Sequence, residues 1–377
     1  MKNIAIVAHK HLPQPDDDLV YFLHKKNGYN IFHIKHSFSD TKDRRSVLDH
    51  YPNWRKIKRE KSLDYAFLPE SLIYFKEFFF TAKWLLSAKR KIDIFVGMDG
   101  LCALFGIFLK TLGICKKVVY WNMDFVPFGR FENKWKNSIY HRINIFACKN
   151  SDEVWDLSQK MIKGRKIFFG IDEDVYKFHR VVPYGVWTDR IKRVPYKSCQ
   201  KNTLVFMGHL LAKQGVDVVI KKIPEIIKKN PNFIFKIIGD GNYKGQLVNL
   251  ANQLSVGKYC KFLGKIVTIT LENEIANSSV AIAPYRKTND NYTYYADPGK
   301  VKTYLACGVP VLLTNIPWNA KEIEKGKCGL IIHDDGKDLI EKLTFIMKPK
   351  INSEFRKNAI EYSKGFDYEK IFSDLDI

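Results

Sequence analysis

The amino-acid sequence predicts an α/β protein made of two doubly wound, Rossmann-like domains. Short apolar runs alternate with segments of helical periodicity along the chain, which is typical of parallel sheets covered by helices. The first run, within residues 3–8, holds five consecutive apolar residues, as expected for a strand buried on both faces. The 377 residues fit two domains at roughly 150 residues each. We therefore expect domains at residues 1–187 and 197–365, with a cleft between them.

In the first half, six apolar segments are predicted strands, and the acids Asp16, Asp17 and Asp18 mark a helix start. Carboxylates suit the positive end of the helix dipole. The predicted strands are 3–8, 29–34, 92–96, 117–121, 151–157 and 180–183.

The second half repeats the alternation more regularly. The predicted strands are 203–207, 232–238, 260–263, 280–284, 310–314 and 329–332, and the predicted helices are 216–229, 244–254, 271–277, 300–307 and 336–347. Residues 186–202 show no periodicity and contain several basic residues, so we expect them to be the linker between the domains.

The composition limits the class of protein. With 62 lysines and arginines against 40 aspartates and glutamates, the formal net charge is +22. Three explanations are open: nucleic-acid binding, docking on an anionic lipid surface, and a lysine-rich composition without functional meaning. The sequence has no zinc-finger spacing and no aromatic RNA-recognition motif, so a nucleic-acid partner is not expected. The hydrophobic share of 46% excludes a disordered chain.

The cysteines and apolar runs indicate a compartment. The seven cysteines form no CxxC pair and their number is odd, so neither a disulfide framework nor a cysteine-rich zinc site is expected. A reducing compartment is the simplest interpretation. The longest apolar run, residues 101–109, is far shorter than the ~20 residues of a membrane span. We expect a cytoplasmic protein, with a peripheral position on the inner face of the cell membrane as a variant of that prediction.

The segment 70–91 combines aromatic and basic side chains. Its prominent members are Leu72, Ile73, Phe75, Phe78, Phe79, Trp84, Leu85 and Leu86, punctuated by Lys76, Lys83, Lys89, Arg90 and Lys91. A basic amphipathic helix of this kind can lie in a bilayer interface. The alternative is an ordinary helix that packs on the core and turns a basic face to solvent.

Small, basic or polar residues follow four predicted strands of the second half. In open parallel sheets, ligands bind outside the carboxyl ends of the strands. The candidate donor-binding positions on three of these loops are Gly208, Gly239, Gly241 and Ile266. We expect them to line one site.

The fourth loop leads into the segment DPGKVKTYLACGVP, residues 297–310. Asp297, Pro298 and Gly299 precede or begin a helix whose first amides lack intrahelical partners, which suits phosphate oxygens. Lys300 adds a cation in the first turn, and the Thr303 hydroxyl lies on the same helix face, where it would meet a ribose. The alternative is a plain capped helix with a solvated lysine.

Taken together, GHLLAKQGVDVVI, a strand-linked GDG, FLGKI and DPGKVKTYLACGVPV have the order and spacing of retaining glycosyltransferase family 4. The sequence resembles this family over about residues 203–335. The resemblance implies the GT-B fold, in which a C-terminal helix, here 366–377, crosses back to the first domain. It also implies sugar transfer from a nucleotide diphosphate donor with retention of configuration, without a metal or another cofactor.

The resemblance assigns roles to individual residues. His209 stands at the position of the family's arginine and Lys213 is the retained lysine, and both are expected to act on the departing diphosphate. Thr303 and Tyr295 occupy the positions of two glutamates that are usual in the family, and Asp297 is the expected substitute acid.

The first domain resembles the family less. Asn122 and Asp124 follow the strand 117–121 and resemble the family's acceptor-side loop with its acid, which makes Asp124 a candidate catalytic residue. Asp99 follows the strand 92–96, near the place of a sugar-side histidine. For both aspartates the alternative is a turn or N-cap role. His9 and His11 are candidate hydrogen-bond donors to the sugar, and no third ligand is spaced for a metal.

We therefore expect a hexosyltransferase of cell-surface glycan synthesis with a lipid-linked or polysaccharide acceptor. Two alternatives remain open at this point. One is a nucleotide-sugar 2-epimerase, which uses two similar domains. The other is a non-catalytic nucleotide-sugar-binding protein, because both usual glutamates are replaced.

Overall fold

The computed structural model describes residues 1–10, 15–37, 41, 43–52, 58–64, 68–87, 90–288 and 292–377. The chain divides into two compact units. The first contains Met1–Pro183 and the last residues, Phe372–Ile377, and the second contains Tyr184–Ile371. These divisions lie several residues from the expected bounds 1–187, 197–365 and 366–377.

The first unit has an eight-stranded sheet of order β4-β3-β2-β1-β5-β6-β7-β8. Its strands are β1 (Lys2–His9), β2 (Tyr29–His36), β3 (Val47–Tyr51), β4 (Lys58–Lys61), β5 (Ile92–Gly97), β6 (Cys115–Asn122), β7 (Glu153–Asp156) and β8 (His179–Val181). Its helices are α1 (Pro15–Lys26), α2 (Glu70–Ser87), α3 (Gly100–Thr111), α4 (Lys134–Asn150) and α5 (Gln159–Phe169). All six strands expected from the sequence are present, and they pair in parallel.

Strands β3 and β4 were not expected. They extend the sheet as an antiparallel edge, with β3 beside β2 and β4 beside β3. β4 has the sequence KREK, without a single apolar residue, so no hydrophobic alternation marks it as a strand. Charged residues on an edge strand oppose pairing with other chains.

The second unit has a six-stranded, all-parallel sheet of order β11-β10-β9-β12-β13-β14. Its strands are β9 (Gln200–Met207), β10 (Ile234–Ile238), β11 (Cys260–Gly264), β12 (Ser278–Ala283), β13 (Val311–Thr314) and β14 (Gly329–Ile332). Its helices are α6 (Val216–Lys229), α7 (Lys244–Gln253), α8 (Thr268–Ala276), α9 (Gly299–Ala306), α10 (Ala320–Lys325), α11 (Leu339–Ile346), α12 (Pro349–Ser363) and α13 (Tyr368–Ser373), the last of which continues into residues of the first unit. Apolar side chains of α6 and α11 pack with the strands in one core, while α9 packs with them in another.

The expected linker, residues 186–202, is not a free connection, and that prediction is wrong. Val186 pairs with Asp367, and the Arg193 Nε atom donates to the Ala306 carbonyl at 3.0 Å. The Arg356 guanidinium donates to the Val194 carbonyl at 2.9 Å. These backbone-directed bonds attach the segment to the second unit, although it lacks the periodicity of a regular element.

Both sheets reverse their winding direction at a central pair of strands. In the first unit, the chain builds outward from β1 through β2 and then returns to place β5 on the other side of β1. In the second unit, the same change occurs between β9 and β12. A ligand crevice is expected at the carboxyl ends of such strand pairs, so these are the two places where functional side chains are expected.

Candidate functional site

In the second unit, the glycine loops after β9 and β10 lie directly against each other. The Gly208 amide donates to the Ile238 carbonyl at 2.9 Å, and the Leu210 amide donates to the Asp240 carbonyl at 2.9 Å. A Cβ atom on Gly239 would lie 1.9 Å from the Gly208 carbonyl oxygen, and Gly241 is similarly close to Leu210. The predicted positions Gly208, Gly239 and Gly241 therefore form one closely packed backbone surface at the edge of the sheet.

Replacing Gly239 with alanine is expected to lower the free energy of unfolding by about 1–3 kcal/mol, the usual cost of a strained backbone position. Gly239 has a φ of +132°, which a side chain makes unfavourable, and the added Cβ would collide with backbone. Gly245→Ala is the matched control, because a Cβ there meets nothing within 4 Å. Urea unfolding of both variants measures the difference, and equal stabilities would contradict the close packing of the two loops.

Lys300, in the first turn of α9, places its ammonium group beside these glycines. A Cβ on Gly208 would lie 2.9 Å from the Lys300 Nζ atom. The Nζ atom donates to Gln214 Oε1 at 2.5 Å and lies 4.4 Å from the ring centre of Phe206 and 4.7 Å from that of Tyr285. Burial lowers the pKa of Lys300 to about 7. Among the described residues no carboxylate forms an ion pair with it, so the site holds a cation without a counter-ion.

Asp297, a predicted donor-binding residue, is already fully engaged by the protein. Its Oδ2 atom accepts from the Tyr184 amide at 2.8 Å and from Lys302 Nζ, and its Oδ1 atom accepts from Trp318 Nε1 at 2.7 Å. Its side chain is buried. A carboxylate held in this way cannot replace the expected glutamate at a ribose. We correct that expectation: Asp297 positions the start of α9.

The start of α9 otherwise has the predicted form. Pro298 is the N-cap, and no side chain caps the helix. The Val301 amide turns back to the Pro298 carbonyl at 3.1 Å. The Thr303 hydroxyl donates to the Gly299 carbonyl at 3.3 Å, so this group offers a ligand only its acceptor lone pairs. The sequence predicts this hydroxyl on the ligand-facing side of the helix, where it would meet a ribose, but does not predict its bond to the Gly299 carbonyl.

The remaining donor-side candidates differ in how far their side chains are exposed to solvent. His209 is exposed and Lys213 is half-buried, and the Lys213 carbonyl accepts from the Arg286 amide at 3.0 Å. Ile266 is half-buried and packs on the apolar core. The sequence did not single out Gln214. The only signal in the sequence was the glycine that follows it. In the structure Gly215 has a φ of +72°, and the turn at this glycine brings Gln214 toward α9.

In the first unit, a buried charge cluster occupies the carboxyl ends of β1 and β5. The His9 Nδ1 atom lies 2.7 Å from Asp99 Oδ2, and its Nε2 atom lies 3.1 Å from Glu77 Oε2. Burial opposes a charge on His9, but Asp99 outweighs it and raises the pKa of His9 well above its usual value. Glu77 keeps a lowered pKa despite its burial because it is bonded to His9. His9 and Asp99, which were predicted as separate sugar-side candidates, therefore lie together with Glu77, and the Asp99 and Glu77 carboxylates favour the protonated form of His9.

Glu77 was missed because it lies inside an aromatic helical segment whose pattern shows only a core-facing helix. The ligand-type atoms of His9, Asp99 and Cys102 lie within 4.8 Å of one another. A protonated imidazole has no lone pair for a metal, and burial raises the pKa of the Cys102 thiol far above its usual value. The cluster as built fits a hydrogen-bonding site better than a metal site. His11 lies outside the described residues.

Asn122 and Asp124, at the end of β6, have different surroundings. The Asn122 amide is buried, donates to Asp156 Oδ1 at 3.1 Å and accepts from the Tyr120 hydroxyl at 3.1 Å. Its predicted contact with an acceptor is therefore replaced by a positioning role. Asp124 is exposed enough to meet a ligand and pairs with Arg130 at 2.6 Å, beside a small cavity lined in part by Phe125 and other aromatic side chains.

Comparison with known proteins finds a similarity that is concentrated in the second unit. Residues 188–366 match the family model described as glycosyl transferases group 1. An uncharacterized glycosyltransferase of Methanocaldococcus jannaschii is 29% identical over 243 residues, which cover 62% of this chain and 61% of that protein. A GDP-mannose-dependent alpha-(1-6)-phosphatidylinositol monomannoside mannosyltransferase of Mycobacterium tuberculosis is 25% identical over 167 residues, which cover 42% and 43% of the two chains. The matches thus span about two fifths to three fifths of these relatives' length.

Solved structures extend the likeness to the whole fold. Sucrose-phosphate synthase from Thermosynechococcus elongatus superimposes with a TM-score of 0.73 at 15% identity, covering 98% of this chain and 96% of the other. Anabaena HepE, solved in complex with UDP and glucose, gives 0.70 at 13% identity over 100% of both chains. At these identities the likeness concerns the fold alone. The chain is thus similar to glycosyl transferases group 1 over residues 188–366, and it has the GT-B fold that its motifs predicted.

Proposed function

We propose that this protein transfers a hexose from a nucleotide diphosphate donor, with retention of configuration, to a lipid-linked or polysaccharide acceptor. The observation that carries the proposal is the Lys300 amine, which forms no ion pair with a carboxylate among the described residues and lies beside Gly208, directly after β9. A diphosphate is the anion that such a site suits, because glycine permits close approach and the start of α9 presents uncapped amides.

The donor side of the proposal rests on charge. Lys300 would bind the diphosphate directly, with Lys213 and His209 at the rim of the same loops. Ammonium groups and amides directed at the leaving diphosphate stabilise the charge that develops there. This arrangement supports transfer without a metal. The relative from M. tuberculosis is named for GDP-mannose and HepE was solved with UDP, so both bases are reasonable probes.

The reaction we infer breaks the bond between the anomeric carbon and the phosphate oxygen and forms a bond to the acceptor oxygen on the same face of the sugar. The electron pair of the broken bond goes to the diphosphate, and the acceptor's hydroxyl proton passes to that leaving oxygen. The protein's part is to hold the reacting groups and to stabilise the departing charge.

The first unit offers the acceptor and sugar side in this proposal. The His9 imidazolium is fixed by Glu77 and Asp99 at a strand-reversal point, so its orientation is set before any ligand arrives. Asp99 remains about one-third exposed in its side chain, and Asp124 is also accessible. Both ring nitrogens of His9 are bonded to these carboxylates, so we assign sugar hydroxyl contacts to Asp99, which His9 positions, and acceptor contacts to Asp124.

The surface of α2 supports an acceptor that resides in a membrane. Leu72, Phe75, Phe79 and Leu86 are all about half exposed or more, with Phe75 at 73%, while Ile73, Trp84 and Leu85 face the core. One face of the helix therefore packs inward and the other exposes aromatic rings, while Lys76, one of the predicted basic residues, is buried. Among the described residues no helix has the length and apolar character to cross a bilayer. We propose peripheral docking of this face on anionic lipid, at the inner face of the cell membrane, helped by the net charge of +22.

Phe75→Ser combined with Phe79→Ser is expected to lower the fraction of protein bound to vesicles of anionic phosphatidylglycerol at least about tenfold. The reason is that two aromatic side chains that insert into the bilayer would be lost. The matched control is Val267→Ser with Ile269→Ser, which removes two equally exposed apolar residues from the second unit. Vesicle sedimentation at physiological salt measures the effect. Equal binding of the two double variants would contradict docking through α2.

The test of the activity uses labelled sugar donors. UDP-[14C]glucose and GDP-[14C]mannose are incubated with the protein, with and without a membrane lipid extract. We expect label in the lipid phase, and free nucleotide released only when the extract is present. An epimerised sugar nucleotide formed without extract would point to the 2-epimerase alternative. Binding of a donor without any cleavage would point to the non-catalytic alternative.

A further inference from the structure

The Lys300 side chain is held by groups that accept a hydrogen bond or attract a cation but carry no charge. These groups are the Gln214 amide oxygen, at 2.5 Å from Nζ, and the ring faces of Phe206 and Tyr285. A neutral amide and two rings compensate the loss of water around an ammonium ion only in part. An ammonium in such surroundings loses its proton more easily than one in water.

The charged side chains around Lys300 do not supply the missing counter-ion. On its own helix and the turn before it, Lys302 is bonded to Asp297. After β12, Arg286 is paired with Asp217. On the loop after β10, the Asp240 carboxylate pairs with Lys244 at 3.6 Å. The other titratable side chains on the neighbouring loops, those of His209, Lys213 and Tyr285, are not carboxylates. Burial is the cause that lowers the pKa of Lys300 to about 7.

We propose that binding of the donor's diphosphate is coupled to uptake of one proton by the Lys300 Nζ atom. The inference deepens the proposed function and rests on it. The amine lone pair takes a proton from solvent, and the resulting ammonium faces the phosphate oxygens; no other bond forms or breaks. The proton returns to solvent when the nucleotide leaves. The same group that anchors the donor thereby makes donor affinity depend on pH.

The direction in which donor affinity changes with pH follows from the coupling between proton uptake and donor binding. Above pH 7 an increasing share of the free protein carries neutral Lys300, and only the protonated share binds tightly. The dissociation constant should therefore rise about tenfold for each pH unit above 7, until the neutral form's own weak affinity takes over. Below pH 6 the group is already charged, and affinity should be flat.

Isothermal titration of the full chain with UDP-glucose and with GDP-mannose tests the coupling. Each phosphate of these donors carries two substituents and lacks the second ionisation near pH 6 that a phosphate monoester has, so the diphosphate itself does not titrate. Measured in buffers of different ionisation enthalpy, the wild-type protein should take up about half a proton at pH 7 and nearly one at pH 8, as linkage requires for this pKa. Uptake should fall toward zero at pH 5.5.

Two variants identify the atom that takes the proton. Lys300→Arg keeps a permanent charge, so it should bind the donors with no proton uptake and with an affinity that is flat between pH 7 and 9. His209→Gln should retain the wild-type uptake. If the wild-type protein binds a donor without proton uptake, the coupling is wrong but the proposed function is not affected. The same conclusion follows if uptake disappears in His209→Gln and persists in Lys300→Arg. Failure of wild type to bind either donor would overturn the proposed function and the coupling together.

Discussion

Lys300→Ala is expected to lower kcat/KM for sugar transfer at least about 100-fold, the usual effect of removing one preorganised group that stabilises a leaving anion. The reason is local, because the ammonium lies beside Gly208 and Gln214 and no carboxylate among the described residues neutralises it. Initial rates with labelled donor measure the change. The loss should appear in donor affinity as well as in turnover.

The matched control is Lys325→Ala, which removes the same charge from an exposed position on α10 in the same unit. A similar loss in both variants would mean that net charge, and not the position of Lys300, governs the rate. Unfolding of Lys300→Ala separates the effect from misfolding. Because the folded pKa of Lys300 is lowered, the unfolded chain binds more protons above pH 7, and wild-type stability should rise with pH there. The alanine variant should lack this rise and should be no less stable near pH 7.

Arg165→Met is expected to lower the free energy of unfolding of the first unit by about 3–5 kcal/mol, which is typical when one member of a buried ion pair is removed. Arg165 donates two bonds of 2.5 Å to Asp156, and both side chains are almost fully buried. Without the guanidinium, Asp156 keeps only His179 and Asn122 as side-chain partners within the part of the chain that the structure describes. Urea unfolding at pH 7 measures the loss.

Lys116→Met is the matched control, since the Lys116–Asp93 pair lies at the surface and should contribute little. Equal stability of the two variants would contradict a structural role for the buried pair. The pH dependence has a defined sign. Burial raises the pKa of Asp156, but Arg165 outweighs it and lowers the value to about 2. The stability from this carboxylate is therefore complete above its usual pKa and is lost as pH falls through about 2.

The sequence predicted which loops and helix of the second unit lie together better than it predicted the contacts of their side chains, for a physical reason. Parallel strands deliver their carboxyl ends to one edge, so Gly208, Gly239 and Lys300 could be placed together from strand positions alone. What those residues touch depends on packing between segments far apart in sequence. Asp297 illustrates this, because its partners Tyr184 and Trp318 are not adjacent to it in the chain.

The features that were missed have a similar origin. Glu77 lies within a helix whose aromatic pattern indicates a core face, and only the fold brings it to His9 from 68 positions away. The antiparallel edge at β3 and β4 lacks apolar alternation because the edge of a sheet needs little burial. The segment after residue 183 is held by bonds to backbone carbonyls, which no local periodicity reveals.

The central claim is that the Lys300 ammonium meets the donor's diphosphate at the glycine edge of the second unit. A crystal structure of the protein with UDP-glucose or GDP-mannose measures this directly. We expect a phosphate oxygen about 3 Å from Lys300 Nζ, the distance of a charge-assisted hydrogen bond, with Gln214 released or shared. A nucleotide bound elsewhere, with Nζ still on Gln214 alone, would contradict the account.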